Sequence, residues 1–235
     1  MKYAAPLERG RLVRRYKRFL ADVTLDDGAT VTMHCPNTGA MTNCAEPDSL
    51  VWYSTSNNPN RKYRYTWELV EIDGHRVSIN SVRANAIVGE AIKEGTLEQL
   101  RGYAEVRAEV KVEDSRFDFA LSGHPDDPRT CLVEVKSVTL LHDPETGAGS
   151  FPDAVSARAA KHIAHLTRLT GAHRTVLLFC VQHSGISSVR AAHEIDRAWA
   201  EALAVGVENG LEVMACSAPP TPTGSVVNGT LPVLT

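Results

Sequence analysis

The sequence lacks any long hydrophobic run. Its longest apolar stretch, residues 176–181, is far shorter than the roughly 20 residues that a helix needs to cross a bilayer. The N-terminal residues do not resemble a signal peptide, because basic residues follow a short apolar stretch. We therefore expect a protein of the cytoplasm that is not bound to a membrane.

Cysteine is also too sparse for a disulfide framework. The five cysteines are odd in number and scattered, and no Cys-x-x-Cys pair occurs. His34, Cys35 and Cys44 are too few and too widely spaced to match a zinc site. The pattern predicts reduced thiols that pack as small hydrophobic residues, which is again typical of the cytoplasm.

The net charge is low, −3 overall, but it is divided unevenly. Residues 1–83 contain twelve Lys and Arg against nine Asp and Glu, whereas residues 84–235 contain thirteen against nineteen. A basic part beside an acidic part is typical of a polyanion-binding module joined to a site that holds cations.

The hydrophobic pattern divides the chain at the same point. Up to residue 83, short alternating segments separated by turns such as Asp26-Asp27-Gly28 predict a small closed or partly closed β-barrel. From residue 84, helical spacing alternates with apolar strands, which predicts an α/β domain with a mixed sheet. We expect helices at 85–94, 97–100, 152–170 and 194–208, with Phe151-Pro152-Asp153 opening the third, and an irregular tail over 218–229.

Three charged residues lie where core strands should be apolar. In the segment 131–136, Glu134 and Lys136 are two residues apart, so both side chains point to one face of a strand, together with Leu132. Asp118 lies within the preceding apolar strand, 116–121, and a hairpin would bring it beside Glu134. Buried charges are costly unless they have partners or a task.

A glutamate and a lysine two apart also occur on ordinary solvated strands, but the apolar surroundings of this pair favour a site. Two carboxylates suffice for a hard divalent cation, and a lysine can stabilise a hydroxide or the charge on a phosphate under attack. The predicted catalytic residues are Asp118, Glu134, Lys136 and, from the strand before, Glu109. The predicted metal ligands for Mg²⁺ or Mn²⁺ are Asp118, Glu134 and the Val135 carbonyl.

The trio resembles the core of the PD-(D/E)XK nuclease superfamily, with Asp118 as the Asp, Glu134-Val135-Lys136 as the (D/E)-x-K, and Phe117 in place of the motif's proline. A longer resemblance, to the sugar fermentation stimulation protein A family, covers nearly the whole chain. The segments that carry it, in order, are 18–23, 34–41, 58–63, 65–69, 115–119, 134–140, 151–154 and 161–162.

That resemblance implies an OB-fold at residues 1–83 and a PD-(D/E)XK nuclease-like α/β domain at residues 84–235. It implies binding to DNA without marked sequence preference. It also implies a link to the regulation of maltose metabolism, which no residue explains. Nuclease activity is, for this family, an inference from the fold.

Basic and aromatic residues predict the surfaces that contact nucleic acid. Residues 1–18 hold seven Lys and Arg against one acid, and residues 61–65 alternate cations with tyrosines that can stack on bases. On the helix expected at 152–170, Arg158, Lys161, His162 and His165 share one face, and residues 182–184 are candidates to reach the same cleft. The predicted nucleic-acid-binding residues are Arg14, Arg15, Lys17, Arg18, Arg61, Lys62, Tyr63, Arg64, Tyr65, Arg158, Lys161 and His162.

Two functions fit these observations. The first is a metal-dependent phosphodiesterase whose barrel supplies sequence-neutral affinity for DNA or RNA. The second is a DNA-binding regulatory protein whose nuclease-like domain has little or no turnover. The intact trio favours the first, because a site without a task is free to lose its buried charges. The sequence leaves a homodimer open.

Overall fold

The structure is a computed structural model that describes residues 1–234. The strands are β1 (Glu8–Tyr16), β2 (Leu20–Leu25), β3 (Thr30–His34), β4 (Leu50–Thr55), β5 (Tyr65–Ile72), β6 (His75–Ser78), β7 (Glu105–Val112), β8 (Ser115–Ser122), β9 (Cys131–Val138), β10 (Leu140–Asp143), β11 (Ala148–Phe151), β12 (Arg174–Val181), β13 (Ser188–Ala191), β14 (Glu212–Ser217), β15 (Thr230–Leu231) and β16 (Val233–Leu234). The helices are α1 (Arg83–Lys93), α2 (Ala157–Leu169) and α3 (Arg197–Glu208), with a 3₁₀ turn at Glu98–Leu100.

The first six strands form a closed barrel. Their order is β3-β2-β1-β4-β5-β6, and a parallel bridge between His34 and Thr66 joins β3 to β5. Alternating residues fill the interior, where Trp67 is fully buried and donates its indole N–H to the carbonyl of Leu69. Gly28, at a φ of +84°, makes the tight turn that joins β2 to β3. The predicted N-terminal OB barrel is confirmed.

The second half is an α/β domain around a mixed sheet of order β15-β14-β12-β9-β8-β7. β9, β12 and β14 run parallel, while β7, β8 and β9 pair antiparallel. Helix α1 covers one face, with Cys131, Val133 and Val135 beneath it. Helices α2 and α3 cover the other face, where Leu132 lies. The predicted α/β domain with a mixed sheet is therefore confirmed.

The third helix was expected to open at Phe151-Pro152-Asp153, and that prediction was wrong. Phe151 ends β11, and α2 begins at Ala157 after Ser156, whose hydroxyl accepts a hydrogen bond from the N–H of Ala159. Asp196 sets this start from a distance, because its carboxylate accepts the N–H of Ser156 at 2.8 Å. The same carboxylate caps α3, which therefore begins at residue 197 rather than 194.

A second, four-stranded sheet was not predicted. Its order is β10-β11-β13-β16, and it is built from strands of two to four residues, too short to give a clear alternation. The segment 218–229, expected to be irregular, contains no helix or strand, only isolated bridges at Thr221 and Gly224. The short strands β15 and β16 follow it and pair with β14 and β13. Among the described residues, no helix has the length and apolar composition needed to cross a membrane.

The segment 182–184 joins the two domains rather than ending free in a cleft. The carbonyl of Gln182 accepts the N–H of Ser78, the N–H of Ser184 donates to the carbonyl of Arg76, and Val77 pairs with His183 in an antiparallel bridge. The barrel strand β6 thus continues into the second domain through backbone hydrogen bonds.

A buried carboxylate makes a second contact between the barrel and the α/β domain. Glu68, only 1% exposed on β5, accepts hydrogen bonds from Ser54, Asn80 and Arg83. Since Arg83 opens α1 while binding a barrel residue, the boundary between residues 83 and 84 stays a prediction. Removing one partner of such a buried pair typically costs about 3–5 kcal/mol.

Replacing His183 by Gln should remove part of the pH dependence of stability. Burial, with a contribution from His75, lowers the pKa of His183 to about 4, whereas an unfolded histidine has a pKa of about 6.5. The folded protein therefore keeps His183 neutral while the unfolded chain takes up a proton. The stabilisation is complete above pH ~6.5 and declines as the pH falls toward ~4.

Urea unfolding at pH 7 and pH 4.5 measures this effect. Wild type should lose about 2–3 kcal/mol more of its free energy of unfolding than His183→Gln between these two values. His193→Gln, at an exposed position, is the matched control and should behave as wild type. Equal losses in wild type and His183→Gln would contradict the prediction.

Candidate active site

The candidate site lies where β8 and β9 stop pairing. Their ladder runs from Leu121–Cys131 to Phe119–Val133 and ends before Asp118. Beyond it, the Asp118 carboxylate accepts the backbone N–H of Val135 at 2.7 Å. The side chain thereby replaces the strand partner that Val135 has lost, and the sheet divides at this point.

Asp118 is also held from helix α1. The Asn85 amide donates to its other carboxylate oxygen at 2.6 Å. Burial raises the pKa of Asp118, and the negative charge of Glu134 adds to the rise. The hydrogen bonds from Val135 and Asn85 and the charge of Lys136 oppose it. The two carboxyl groups are therefore close enough to interact, as the hairpin argument expected.

Glu134 is held from the opposite side, by helix α2. It is 4% exposed, and one of its oxygens accepts hydrogen bonds from Lys136 Nζ at 2.6 Å and from His162 Nδ1 at 2.9 Å. Burial disfavours its charged form, but the His162 hydrogen bond and the Lys136 charge outweigh that effect, so the pKa of Glu134 is below its usual value. Glu134, Lys136 and Leu132 face α2 together.

One oxygen atom of Glu134 has no hydrogen-bond partner among the described residues. Within residues 1–234, the second carboxylate oxygen of Glu134 is buried and accepts no hydrogen bond. Leaving such an acceptor unsatisfied costs about 1–3 kcal/mol, and more for a charged group. An oxygen of this kind beside Asp118 fits a hard divalent cation, whose ligands are carboxylate oxygens. The residues present therefore fit the metal that the sequence predicts.

Glu109 lies at the edge of this site. It stands opposite Asp118 on β7, at a φ of +55°, where the β7–β8 ladder is interrupted. Its side chain is 57% exposed and lies 3.6 Å from Arg116. With Asp118 and Asn85 it lines a groove of about 530 Å³ beside α1. The structure thus brings Asp118, Glu134, Val135 and Lys136 together, with Glu109 farther out.

The basic residues of the barrel have varied surroundings. Arg15 donates to the carbonyls of Arg18, Asn37 and Gly39, so its guanidinium holds a loop. Arg14 pairs with Asp22 at 2.9 Å, whereas Lys17 and Arg18 are exposed in the β1–β2 turn.

In the segment 61–65, Arg61 donates to Thr66, and Lys62 and Arg64 lie over the rings of Tyr63 and Tyr65. Because β5 begins at Tyr65, Tyr63 lies outside the strand and does not share its face. Lys62 and Arg64 are exposed, so both remain open to a polyanion.

The predicted basic face of α2 is split. Arg158 and Lys161 are exposed, while His162 turns inward to Glu134. His165 is buried, and its ring bonds the Ser115 hydroxyl on one side and Glu113 at 3.1 Å on the other. Arg158 and Lys161 line an open cavity of about 610 Å³ together with His162.

Sequence reasoning missed the role of two residues. Asn85 was not a candidate, and its only signal is a polar residue among apolar neighbours at the start of a helix. His162 was predicted to contact nucleic acid, yet the structure places its ring against Glu134. Both contacts join a helix to a strand across the fold, which a local pattern does not reveal.

Comparison with known proteins gives two family matches. The family described as "Sugar fermentation stimulation protein RE domain" matches residues 82–224, and "SfsA N-terminal OB domain" matches residues 13–79. Several curated relatives carry the name "Sugar fermentation stimulation protein homolog". The chain is 48% identical to that of Shewanella loihica over 99% of both chains, and 53% identical to that of Hahella chejuensis over 91% of this chain and 88% of the relative.

A solved structure supports the fold at full length. The structure of Pyrococcus furiosus SfsA in complex with Ca²⁺ superposes with a TM-score of 0.86, at 24% identity, over 100% of this chain and 98% of that chain. At that identity the likeness shows the fold alone. The family matches span most of the chain and the curated relatives match along nearly its whole length, so this protein belongs to the sugar fermentation stimulation protein (SfsA) family.

Proposed function

We propose that this protein binds nucleic acid without marked sequence preference and hydrolyses phosphodiester bonds with a divalent cation held by Asp118 and Glu134. The observation that carries the proposal is the second oxygen of Glu134, which is buried and has no hydrogen-bond partner within residues 1–234. A second carboxylate, Asp118, is close enough for the Glu134 charge to raise its pKa. A carboxylate that served only the fold would be expected to have both oxygens satisfied.

The proposed ligands lie at the point where β8 and β9 stop pairing. Asp118 and Glu134 supply carboxylate oxygens, and the Val135 carbonyl is the proposed third ligand. When bound, Mg²⁺ or Mn²⁺ would polarise the phosphate and lower the pKa of a coordinated water. Asn85 and His162 act as positioning residues, because each holds one carboxylate through a hydrogen bond of 2.6 or 2.9 Å.

Lys136 supplies the positive charge for the attack. Its ammonium group lies 2.6 Å from Glu134 and its side chain is 17% exposed, so it is held in place yet reachable from solvent. A preorganised ammonium group stabilises negative charge that develops on the phosphate oxygens. Glu109 at the rim is proposed to orient water. Arg158 and Lys161, on the exposed side of α2, are proposed to bind the phosphate backbone.

Cleavage assays test the hydrolytic part of the proposal. Labelled single-stranded, duplex and branched DNA are incubated with the protein and Mg²⁺ or Mn²⁺. Asp118→Asn and Lys136→Met should each lower the cleavage rate by roughly 10²-fold or more, because each removes a group that acts on the reacting phosphate, while affinity for DNA persists.

Arg197→Gln is the matched control, since this exposed residue of α3 pairs with Glu201 on the same helix. It should cleave as wild type does. Binding without cleavage of any substrate would exclude the hydrolytic function and favour a regulatory DNA-binding protein.

The charge state of Glu134 tests the positioning role of His162. In the metal-free protein, His162→Leu should raise the pKa of Glu134, because burial is then opposed by Lys136 alone. A ¹³C NMR titration of the glutamate side chains measures this pKa. Lys161→Leu, one residue away and exposed, should leave it unchanged. A Glu134 pKa that is the same in both variants would show that the His162 contact has no electrostatic role.

The salt dependence of binding tests the basic surface of the barrel. Phosphate contacts release counterions, so log K should fall linearly with log[salt], by about 0.7 per contact for single strands and 0.9 for duplexes. Lys62→Gln/Arg64→Gln should reduce this slope by about 1–2, measured by fluorescence anisotropy. The Arg197→Gln control should keep the wild-type slope. A slope near zero in wild type would contradict the proposal that phosphates are bound.

A further inference from the structure

A cleft of about 250 Å³ lies between the two domains. We call it the interdomain cleft, and it is lined mainly by Asn37, Thr38 and Ser81 on one side and by Ser137, Ser150 and Asp153 on the other. No motif assigned to metal or phosphate binding accounts for it, although Asn37 and Asp153 belong to segments that carry the family resemblance.

The lining is hydrogen-bonding but not basic. Hydroxyl, amide and backbone groups dominate it, Phe151 adds an aromatic face, and among the described residues no Lys or Arg lines it. Asp153 is its one charged side chain, and within residues 1–234 it forms no ion pair or hydrogen bond. A phosphate would be repelled here, whereas a flat, uncharged group with N–H donors would find acceptors.

A buried hydroxyl group in the cleft wall, without a hydrogen-bond partner among residues 1–234, is evidence that the cleft binds a ligand. Ser150 is 1% exposed and, in the part of the chain that the structure describes, its hydroxyl has no hydrogen-bond partner. Behind the wall, Gln182 donates to Ser137 while its own amide oxygen also has none. Buried polar groups usually have partners, so a polar ligand in the cleft offers the Ser150 hydroxyl the partner that the protein does not supply. Gln182 lies behind the lining and is not reached by such a ligand.

The cleft is next to the candidate active site along the same elements. Ser137 follows Lys136 on β9, although its side chain faces the other side of the sheet. Ser81 lies four residues before Asn85, and Asp153 precedes the helix that carries His162. Gly39 marks the narrow point, because a Cβ there would lie 3.1 Å from Asp153. Phe151, which lines the cleft, packs against Phe179, and Phe179 is paired with Lys136 in the register of β9 and β12. The proposal therefore takes a strand bound at Lys136 to extend toward the mouth of the cleft.

We propose that the interdomain cleft receives one unpaired nucleobase of the bound strand, whose amino group donates to Asp153. The inference rests on the proposed function, since it assumes that the strand lies at the Asp118–Glu134 site. A carboxylate accepts from the exocyclic amino group of cytosine, and adenine and guanine also carry one, whereas thymine does not. The cleft thus selects single-stranded or locally opened nucleic acid and disfavours thymine at one position.

The test compares the affinities of the oligonucleotides dC12 and dT12 by fluorescence anisotropy in Ca²⁺ buffer. Wild type should bind dC12 about tenfold more tightly, the size expected for one charge-assisted hydrogen bond. Asp153→Ala should bring the ratio close to one. Asp126→Ala removes an equal charge at an exposed site and should keep the wild-type ratio. This control separates the loss of the Asp153 side chain from the change in net charge.

A second variant keeps the proposal falsifiable if Asp153→Ala fails to fold. Thr38 is exposed at the mouth, so Thr38→Trp should block the cleft without disturbing the core. It should abolish both the dC12 preference and the fluorescence rise of a 2-aminopurine oligonucleotide upon binding. Equal, tight binding of both oligonucleotides by wild type overturns the cleft proposal alone, whereas no binding of either overturns the proposed function as well.

Discussion

The candidate site depends on one hydrogen bond, from the backbone N–H of Val135 to the carboxylate of Asp118. A buried N–H without an acceptor costs about 1–3 kcal/mol, so β8 and β9 can separate inside a six-stranded sheet only if something replaces the lost backbone partner. Asp118 does so at the point where the two strands separate. The same bond fixes the Asp118 side chain against Asn85 of α1. Asp118 thus stabilises the point where β8 and β9 separate and is also a candidate metal ligand there.

The electrostatics of the two carboxyl groups follow from this arrangement. Burial and the neighbouring Glu134 raise the pKa of Asp118, while His162 and Lys136 hold the pKa of Glu134 down despite its burial. One lysine faces two acids, so an additional positive charge, either a proton on Asp118 or a cation between the carboxylates, relieves the repulsion. A cation also satisfies the second oxygen of Glu134, which a proton on Asp118 does not. In the proposed function, the cation supplies this charge.

Local periodicity predicted the strand faces correctly because it is a property of the backbone. Glu134 and Lys136 share a face with Leu132, since alternation holds along β9 however the helices pack. The contacts from Asn85 and His162 could not be predicted in this way, because they depend on how α1 and α2 lie over the sheet. The start of α2 was misplaced for a similar reason: proline suits a first helical turn, but the Asp196 carboxylate, distant in sequence, sets where the helix begins. The same limit applies to the barrel arginines. The sequence does not reveal that the Arg15 guanidinium donates hydrogen bonds to loop carbonyls, because those carbonyls approach it only in the folded barrel.

The contacts between the two domains determine how the barrel is positioned relative to the candidate site. A flexible linker would only raise the local concentration of bound nucleic acid at the second domain. Here the buried Glu68 contacts Arg83, and β6 exchanges backbone hydrogen bonds with residues 182–184, so the barrel is docked rather than tethered. Docking fixes the loop at Asn37 relative to β9, and with it the path of any strand that the barrel holds. In the proposed function, such positioning would lower the barrier in a way that proximity alone cannot, and the buried ionic contact at Glu68 would then serve hydrolysis as well as stability.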